Sequence, residues 1–317
     1  MTMNPMENYI AAVRFQNPER VPLGNEDVSC SFQLEGNFCC ANWTDQWGVQ
    51  WEVGIEGTVP FPKGNPLPSL DHLADYRPPE PSDLVLTAEA RNTIDRTDRN
   101  TRLLVGCHTY LLFERAWAIM GMENFLASLI THPAQMHEFL DIIAGYARQV
   151  FDRYLELGVD VITFSEDLGT QRALTMSPAM FREFILPRYV RIFDNALRAG
   201  KIVHFHSCGC VHDIAADIAA IGDGHPGALM LNPVQARAND LARIKAETIG
   251  RMALNGAIDT ALLAGGTPAQ VRAEVVRVME ILKPGGGYIC APDQGIPGIP
   301  DENMTALWKT AGEVGKY

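Results

Sequence analysis

The sequence predicts an α/β fold, a (β/α)8 TIM barrel, and three observations lead to this prediction. From about residue 102 onward, apolar segments of strand length alternate with segments of helix length. They recur at a spacing of roughly 25–45 residues, which is typical of βαβ units and a parallel sheet. Polar residues follow the predicted strands at their carboxyl ends. A closed barrel gathers all these ends on one rim, whereas a doubly wound sheet does not.

Residues 1–100 are predicted to elaborate the barrel, so that residues 1–317 form a single barrel domain. We expect a helix within residues 1–16, a short first strand at 20–23, and a cap. The partial alternation of residues 43–51 predicts a hairpin with residues 57–60. Its three tryptophans, at positions 43, 47 and 51, either pack as the core of the hairpin or line a wall for an aromatic substrate.

The regular part of the chain is predicted element by element from its apolar runs and its helix signals. A proline at position 133 opens a long helix, and Gly200 ends another. The predicted strands are 103–106, 159–164, 201–206, 228–231, 251–254 and 287–290. The predicted helices are 122–130, 133–157, 178–198, 211–221, 238–247, 267–282 and 302–312.

Composition and charge exclude several classes of function. The formal net charge is −12 and there is no basic stripe, which argues against a nucleic-acid partner. No run of 18 apolar residues is present, so we expect no membrane span. The first 16 residues lack the basic start and apolar core of a signal peptide, and we therefore expect a cytoplasmic enzyme. Seven cysteines, an odd number, indicate reduced thiols rather than a disulfide framework.

The most informative motif is His206-Ser207-Cys208-Gly209, which follows the predicted strand 201–206. A histidine and a cysteine two residues apart on a strand point to the same side of the backbone. Imidazole and thiolate together suit Zn²⁺, so the motif predicts a metal site at the rim. The alternative is a buried histidine at a strand end beside an inert cysteine.

Other polar residues at strand ends are candidates for the same site, each with a structural alternative. Glu166 and Asp167 could bind metal or act as acid and base, or cap the segment that follows. We predict a catalytic role for Asp167, and also for Asp259, although either could be a cap. Substrate binding is predicted for six residues at these ends and one in the N-terminal segment, namely Glu26, His108, Tyr110, Gln171, Asn232, Gln235 and Gln294.

Several short motifs, taken in their order and spacing, resemble the uroporphyrinogen decarboxylase superfamily, and most closely its corrinoid-dependent methyltransferase branch. The resemblance covers most of the chain. The matching stretches are Asn17-Pro18-Glu19-Arg20-Val21-Pro22, Phe113-Glu114-Arg115-Ala116-Trp117, Met122-Glu123-Asn124, Glu166-Asp167-Leu168-Gly169-Thr170-Gln171, His206-Ser207-Cys208-Gly209, Asn232-Pro233-Val234-Gln235, Gly256-Ala257-Ile258-Asp259 and residues 297–303.

The resemblance implies a zinc ion held by a His-x-Cys pair and a later cysteine. His206 and Cys208 match the pair, but Gln294 occupies the position of the later cysteine. Cys290, four residues earlier, is the expected substitute, with Asp167, Glu166 or Cys210 as other candidates. The Arg-rich segment that binds porphyrinogen carboxylates in true decarboxylases is replaced here by Asn25-Glu26-Asp27.

These implications predict a methyltransferase that moves a methyl group between a small molecule and a separate corrinoid protein, with zinc as Lewis acid. The small molecule would be a methyl ether, a methylamine or a thiol, and the direction of transfer is open. Two alternatives remain. One is a decarboxylase-like lyase that uses Arg115 or Arg172 to bind a carboxylate. The other is a non-catalytic tetrapyrrole-binding protein.

Overall fold

The structure, a computed structural model, describes residues 2–34, 36, 39–56 and 59–317. Its main sheet contains seven parallel strands in the order β1-β5-β6-β7-β8-β9-β10, and a second, antiparallel sheet has the order β2-β3-β4. The α/β TIM-barrel fold predicted from the sequence is therefore confirmed. The strands are β1 (Ser29–Gln33), β2 (Trp43–Thr44), β3 (Gln50–Glu52), β4 (Phe61–Gly64), β5 (Leu103–His108), β6 (Val161–Ser165), β7 (Ile202–His206), β8 (Leu229–Val234), β9 (Met252–Ile258) and β10 (Tyr288–Pro292).

Helices connect the barrel strands and surround the sheet. They are α1 (Pro5–Val13), α2 (Ala88–Arg96), α3 (Phe113–Met120), α4 (Met122–Thr131), α5 (Pro133–Glu156), α6 (Pro178–Met180), α7 (Leu186–Arg198), α8 (Ala215–Ile221), α9 (Leu241–Thr248), α10 (Thr260–Gly265), α11 (Pro268–Leu282) and α12 (Asp301–Val314). Among the described residues, none of these helices combines the length and apolar character that a membrane crossing requires.

The predicted first strand adds an eighth, very short member to the sheet. Leu23 forms a parallel bridge with Cys290 of β10, and Gly24 donates to the Cys290 carbonyl at 2.8 Å. Only four residues lie between Gly24 and Ser29 of β1 at the opposite edge of the sheet, and the five Cα–Cα steps that join these two residues can span at most about 18 Å. Eight strands about 4.8 Å apart in a flat sheet would place these edges roughly 34 Å apart. The sheet must therefore curl into a barrel.

One end of the barrel is closed by an apolar layer. Side chains at the amino-terminal ends of six strands form a cluster with Met6 and Val13 of α1, and five of the six are Leu103, Val161, Ile202, Met230 and Ile289. Helix α1 begins with a capping box made by Asn4 and Glu7, which fixes the start of the helix against this layer.

The strand alternation then determines which residues face the barrel interior. Ile202 belongs to the closed-end cluster, whereas Val203 and Phe205 belong to the larger cluster between sheet and helices. His204 and His206 therefore face inward with Ile202. By the same register, Thr163 and Ser165 of β6 also face inward.

The N-terminal cap is fixed to the barrel by a buried ion pair. Arg115 of α3 contacts Asp45 at 2.5 Å, and both side chains are almost fully buried. Asp45 also accepts a hydrogen bond from Trp51, while Arg115 lies over the ring of Trp47. Trp47 and Trp51 are buried at 3% and 2% exposure, so these two tryptophans form the core of the cap. Strand β3 pairs with Phe61–Gly64 rather than with residues 57–60, of which 57 and 58 lie outside the described residues.

The element predictions differ from the structure in two further places. The helix predicted at 178–198 is interrupted by a π-helical turn at Phe181–Ile185, just before Pro187. Proline has no N–H and its ring displaces the carbonyl four residues earlier, which explains the break. Strand β1 and helices α2, α3 and α10 were not predicted as elements, because their sequences lack a long apolar period.

Candidate functional site

Three side chains with metal-binding atoms meet at the carboxyl-terminal rim of the barrel. They are Asp167 after β6, and His206 and Cys208 at the end of β7, and one ligand atom from each lies within 4.8 Å of the other two. His206 Nε2 is 3.5 Å from the Cys208 Sγ and 3.6 Å from Asp167 Oδ1. The group joins a nitrogen, a sulfur and an oxygen donor, a set that suits a divalent transition metal.

Two glycines allow the loops that carry these residues to approach each other. Gly209 has a φ of +83°, and a Cβ there would lie 2.1 Å from the Gly169 carbonyl oxygen. A Cβ on Gly169 would lie 2.5 Å from the Cys210 nitrogen. Neither position can hold a side chain, and the close contact brings Asp167 near enough to accept a hydrogen bond from the Cys208 N–H at 2.9 Å.

Asn232 of β8 orients the His206 ring. Its Oδ1 lies 3.2 Å from His206 Nδ1. A proton on Nδ1 satisfies this contact and leaves the Nε2 lone pair directed at Cys208 and Asp167. This is the arrangement in which histidine binds a metal. Gln294, after β10, donates to the Cys208 Sγ at 3.3 Å.

The Cys208 thiol is protonated in the absence of a cation. Burial first, and then the nearby Asp167 carboxylate, raise its pKa to about 12. A positive charge among the three ligand atoms would reverse both effects, because it stabilises the thiolate and attracts Asp167.

Two buried glutamates lie beneath this group and have different roles. Glu166 accepts hydrogen bonds from the N–H groups of Leu112, Phe113 and Glu114 at 2.6–2.8 Å, and so holds the first turn of α3. Burial raises its pKa to about 7 in spite of these bonds. The pKa of Glu114 is raised well above its usual value by burial and by the charges of Asp167 and Glu166. Glu114 thus lies beside Asp167, whereas Arg115, the next residue of α3, pairs with Asp45.

Gln171 and Gln235 are tied to each other and to the loop that carries Cys208. Gln235 Oε1 accepts from Gln171 Nε2 and from the Gly209 N–H, both at 2.8 Å. Asn239 donates to the Gly209 carbonyl and accepts from the Val211 N–H, which fixes the same loop from the other side.

The structure separates the remaining predicted substrate-binding residues. Tyr110 is near Asp167, its ring is stacked on Trp51 with centroids 4.6 Å apart, and its φ of +56° is unusual for a side chain of this size. His108 is buried on the outward face of β5, where burial first and then Arg115 lower its pKa to about 3. Glu26 forms an ion pair with Arg20.

Cys290 and Asp259 are not brought into the group. Cys290 lies on β10 with its side chain in the cluster between sheet and helices, whereas the neighbouring Ile289 faces the barrel interior. The alternation of the strand therefore directs the thiol away from His206 and Cys208, which corrects the expectation that it is a metal ligand. Asp259 caps α10 through the Ala261 N–H and pairs with Arg237 at 2.9 Å, so both of its oxygens are engaged.

Sequence reasoning missed three polar residues of the rim and barrel interior. They are Asn239 behind the Cys208 loop, and the inward-facing His204 and Asn255. The inward orientation of His204 could have been predicted, because His204 lies two residues before His206 and shares its face of the strand. The orientation of Asn255 could have been predicted in the same way if the predicted strand 251–254 had been continued to Ile258, where β9 ends.

The chain resembles known proteins in sequence pattern and in fold. The family model for uroporphyrinogen decarboxylase (URO-D) matches residues 38–314. No curated protein matches the chain by sequence. Among solved structures, a methyltransferase from Methanosarcina mazei has a TM-score of 0.70 at 18% identity, covering 98% of this chain and 99% of that one. A B12-independent methionine synthase from Shewanella sp. W3-18-1 has a TM-score of 0.47 at 11% identity, covering 73% and 65%. The similarity to the Methanosarcina mazei structure agrees with the barrel described above. Because the family model matches most of the chain, this protein belongs to the uroporphyrinogen decarboxylase (URO-D) family.

Proposed function

We propose that this protein is a zinc-dependent methyltransferase that moves a methyl group between a small methylated compound and a separate corrinoid protein. The observation that carries the proposal is the group formed by Asp167, His206 and Cys208, whose ligand atoms lie within 4.8 Å of one another. It stands at the carboxyl-terminal rim, where barrel enzymes place their active sites. The methyltransferase of similar fold, although only 18% identical, supports the same reaction class.

The residues present fit a zinc ion with one open position. Three protein ligands plus one exchangeable position are the usual arrangement in catalytic zinc sites. Cys208 and His206 supply the soft and borderline donors, and Asp167 takes the place of the third ligand that Cys290 and Gln294 do not provide. Asn232 holds His206 in the tautomer that binding requires.

Bound zinc would act as a Lewis acid toward the heteroatom of the methyl compound. In demethylation, the electron pair of the bond between methyl and heteroatom stays on the heteroatom, and cobalt(I) of the partner supplies the pair for the new bond. The task of this chain is to bind and orient the compound at the rim. Tyr110 and Gln294 adjoin Asp167 and Cys208 there.

The decarboxylase alternative requires a cationic side chain free to bind a carboxylate. Arg115, one of the two arginines considered for this role, is buried against Asp45 at 2.5 Å and belongs to the cap. Arg172 is exposed, and within the described residues its guanidinium makes no contact with Asp167, His206 or Cys208. These contacts favour methyl transfer over decarboxylation.

Metal analysis of the purified protein tests the proposal. Wild-type protein should retain about one zinc per chain, and His206→Ala with Cys208→Ser should retain none. Cys290→Ser is the matched control: a cysteine at the other face of β10 should leave the zinc content unchanged. Metal-free protein of full activity would contradict the mechanism, and loss of zinc in Cys290→Ser would restore that residue as a ligand.

A methyl-transfer assay distinguishes the proposal from a non-catalytic tetrapyrrole-binding protein. Cob(I)alamin and a panel of methyl ethers, methylamines and methyl thioethers are mixed with zinc-loaded protein, and methylcobalamin is followed by its absorption spectrum. We expect turnover that depends on His206 and Cys208. Binding of cobalamin without methyl transfer from any compound, and without dependence on these residues, would favour the binding protein.

A further inference from the structure

Gln294, which follows β10, contacts the sulfur of the metal-binding group across the open end of the barrel. Its Nε2 donates to the Cys208 Sγ at 3.3 Å, and the two residues are 86 positions apart in the chain. β8 and β9 separate β10 from β7 in the sheet, so no neighbouring strand pair brings the two residues together. Because the Gln294 side chain is exposed, water competes for its amide. Its contact with a half-buried sulfur therefore depends on how the Gln294 backbone is held.

A buried network holds this backbone in place. The Thr260 hydroxyl accepts a hydrogen bond from the Gln294 N–H at 2.9 Å and donates to Asp293 Oδ1 at 2.6 Å. The same Asp293 oxygen accepts from the Thr260 N–H at 3.0 Å, and the Asp293 N–H donates to the Ile258 carbonyl at 2.9 Å. Thr260 and Asp293 are only 5% and 6% exposed. A buried network whose members satisfy one another is rigid, so Gln294 starts from a fixed position beside Cys208.

The Gln294 amide faces the place where negative charge gathers when a cation is bound. In that state the Asp167 carboxylate and the Cys208 sulfur both carry negative charge, and they lie close to each other in the group described above. A hydrogen bond to a charged acceptor is roughly twice as strong as one to a neutral acceptor. An N–H donor at position 294 therefore stabilises the metal-bound state more than the empty one.

An N–H donor also changes the electronic character of a metal-bound sulfur. It draws electron density toward the proton, so that the sulfur gives less of it to the metal. The ion then keeps more of its positive charge for a ligand in the open position.

We propose that Gln294 is a positioning residue of the metal centre: its amide N–H holds the Cys208 sulfur toward His206 and Asp167, and it withdraws charge from that sulfur so that the bound ion is a stronger Lewis acid. The inference rests on the metal site of the proposed function. It does not depend on which methyl compound is used or on the direction of transfer.

Cobalt(II) in place of zinc tests the proposal, because sulfur-to-cobalt charge-transfer absorption reports on the metal-bound sulfur. Metal-free protein is titrated with cobalt(II), the affinity and the wavelength of the band are measured, and loss of the band in Cys208→Ser assigns it to this sulfur. Gln294→Leu should bind cobalt(II) about tenfold more weakly, a loss typical of a group that supports a metal ligand. Its band should move to longer wavelength, because a sulfur without the N–H bond gives up electrons more easily.

Gln294→Lys separates the donor from the shape of the side chain. Lysine restores an N–H donor, so the band should return to the wild-type wavelength or shorter, while its positive charge should keep the affinity for cobalt(II) low. A merely structural role would not separate these two measurements. Gln171→Leu is the matched control, because Gln171 is also an exposed rim glutamine but donates to Gln235 Oε1 at 2.8 Å and not to sulfur. Its band should not move.

Three results would overturn the role of Gln294. They are a wild-type band and affinity in Gln294→Leu, a band that stays at long wavelength in Gln294→Lys, and an equal shift in Gln171→Leu. Any of them, with cobalt(II) binding that still requires His206 and Cys208, would leave the methyltransferase intact. Conversely, the expected shifts without methyl transfer from any compound would contradict the methyltransferase and leave the role of Gln294 intact.

Discussion

The two ends of the barrel are built from the same strands but differ in character. At the amino-terminal end, inward-facing residues such as Ile202 and Met230 are apolar, buried and covered by α1. Two and four residues further along β7, the inward positions are His204 and His206, which are partly exposed. The closed end contributes hydrophobic burial, at about 25 cal/mol per Å² of apolar surface, while the open end carries polar groups that add little to it. We infer that stability and function are separated along the barrel axis.

The largest expected effect comes from Gly209, which joins the two loops of the open end. Gly209→Ala adds a Cβ at a φ of +83° and 2.1 Å from the Gly169 carbonyl oxygen. The backbone must move, so we expect loss of zinc binding and a fall of about 4 kcal/mol in the free energy of unfolding. Urea denaturation and metal analysis measure the two effects.

Gly224→Ala is the control for this change. Gly224 has a similar φ of +87°, but a Cβ there has no neighbour within 4 Å. It should cost only about 1 kcal/mol and leave zinc binding intact. Equal losses in the two variants would mean that backbone conformation alone, and not the contact between the loops, matters at Gly209.

The separation of the two ends predicts different effects on stability and on zinc binding for two inward-facing positions of β7. Ile202→Ala at the closed end should lower the free energy of unfolding by about 3 kcal/mol, because it removes buried methyl groups and leaves a cavity. His206→Ala at the open end should cost less than about 1 kcal/mol in metal-free protein and abolish zinc binding. Both are measured by urea denaturation with chelator present. A His206→Ala loss as large as that of Ile202→Ala would contradict the separation.

Buried histidines near the open end should make the protein sensitive to acid. Burial lowers the pKa of His108 to about 3 in the folded chain, against 6.5 when unfolded. As the pH falls below 6.5, the unfolded chain takes up a proton that the folded chain refuses. The contribution of His108 to stability is therefore complete above pH 6.5 and falls by about 1.4 kcal/mol per pH unit down to pH 3. His108→Phe should remove the His108 share of this slope, about 2 kcal/mol between pH 7 and 5, in urea titrations at the two pH values. An unchanged slope would assign the sensitivity to other groups.

The sequence predicts the closed barrel and the rim much better than it predicts individual contacts. Strand and helix periods locate the ends of β6 and β7, and hence Asp167, His206 and Cys208, because parallel strand ends meet at one rim. The face of Cys290 is not predictable in this way. Both faces of a strand in a parallel sheet are apolar, so Tyr288, Ile289 and Cys290 give no sign of which side points inward.

Long-range contacts explain what the sequence leaves out of the site. Glu114 and Arg115 are adjacent on a helix, where neighbouring side chains point about 100° apart, and a pair between them is therefore unfavourable. Arg115 instead contacts Asp45, which is 70 residues away in the chain. Glu114, which does not pair with Arg115, lies beside Asp167 and becomes part of the rim. Such a pair depends on the docking of the cap, which no local pattern encodes.

The smallest expected effect concerns Asp259, a rim residue whose two predicted roles can be separated by one substitution. Serine and aspartate are both good helix N-caps, whereas alanine is a poor one. Asp259 accepts a hydrogen bond from the Ala261 N–H and pairs with the exposed Arg237. We therefore expect Asp259→Ala to lower the free energy of unfolding by about 1 kcal/mol. Asp259→Ser should change it by less than half of that amount. If Asp259 acts only as a cap, methyl transfer by the serine variant equals that of wild type. A large loss of turnover in Asp259→Ser, with stability retained, would place a second carboxylate in the chemistry of the open end.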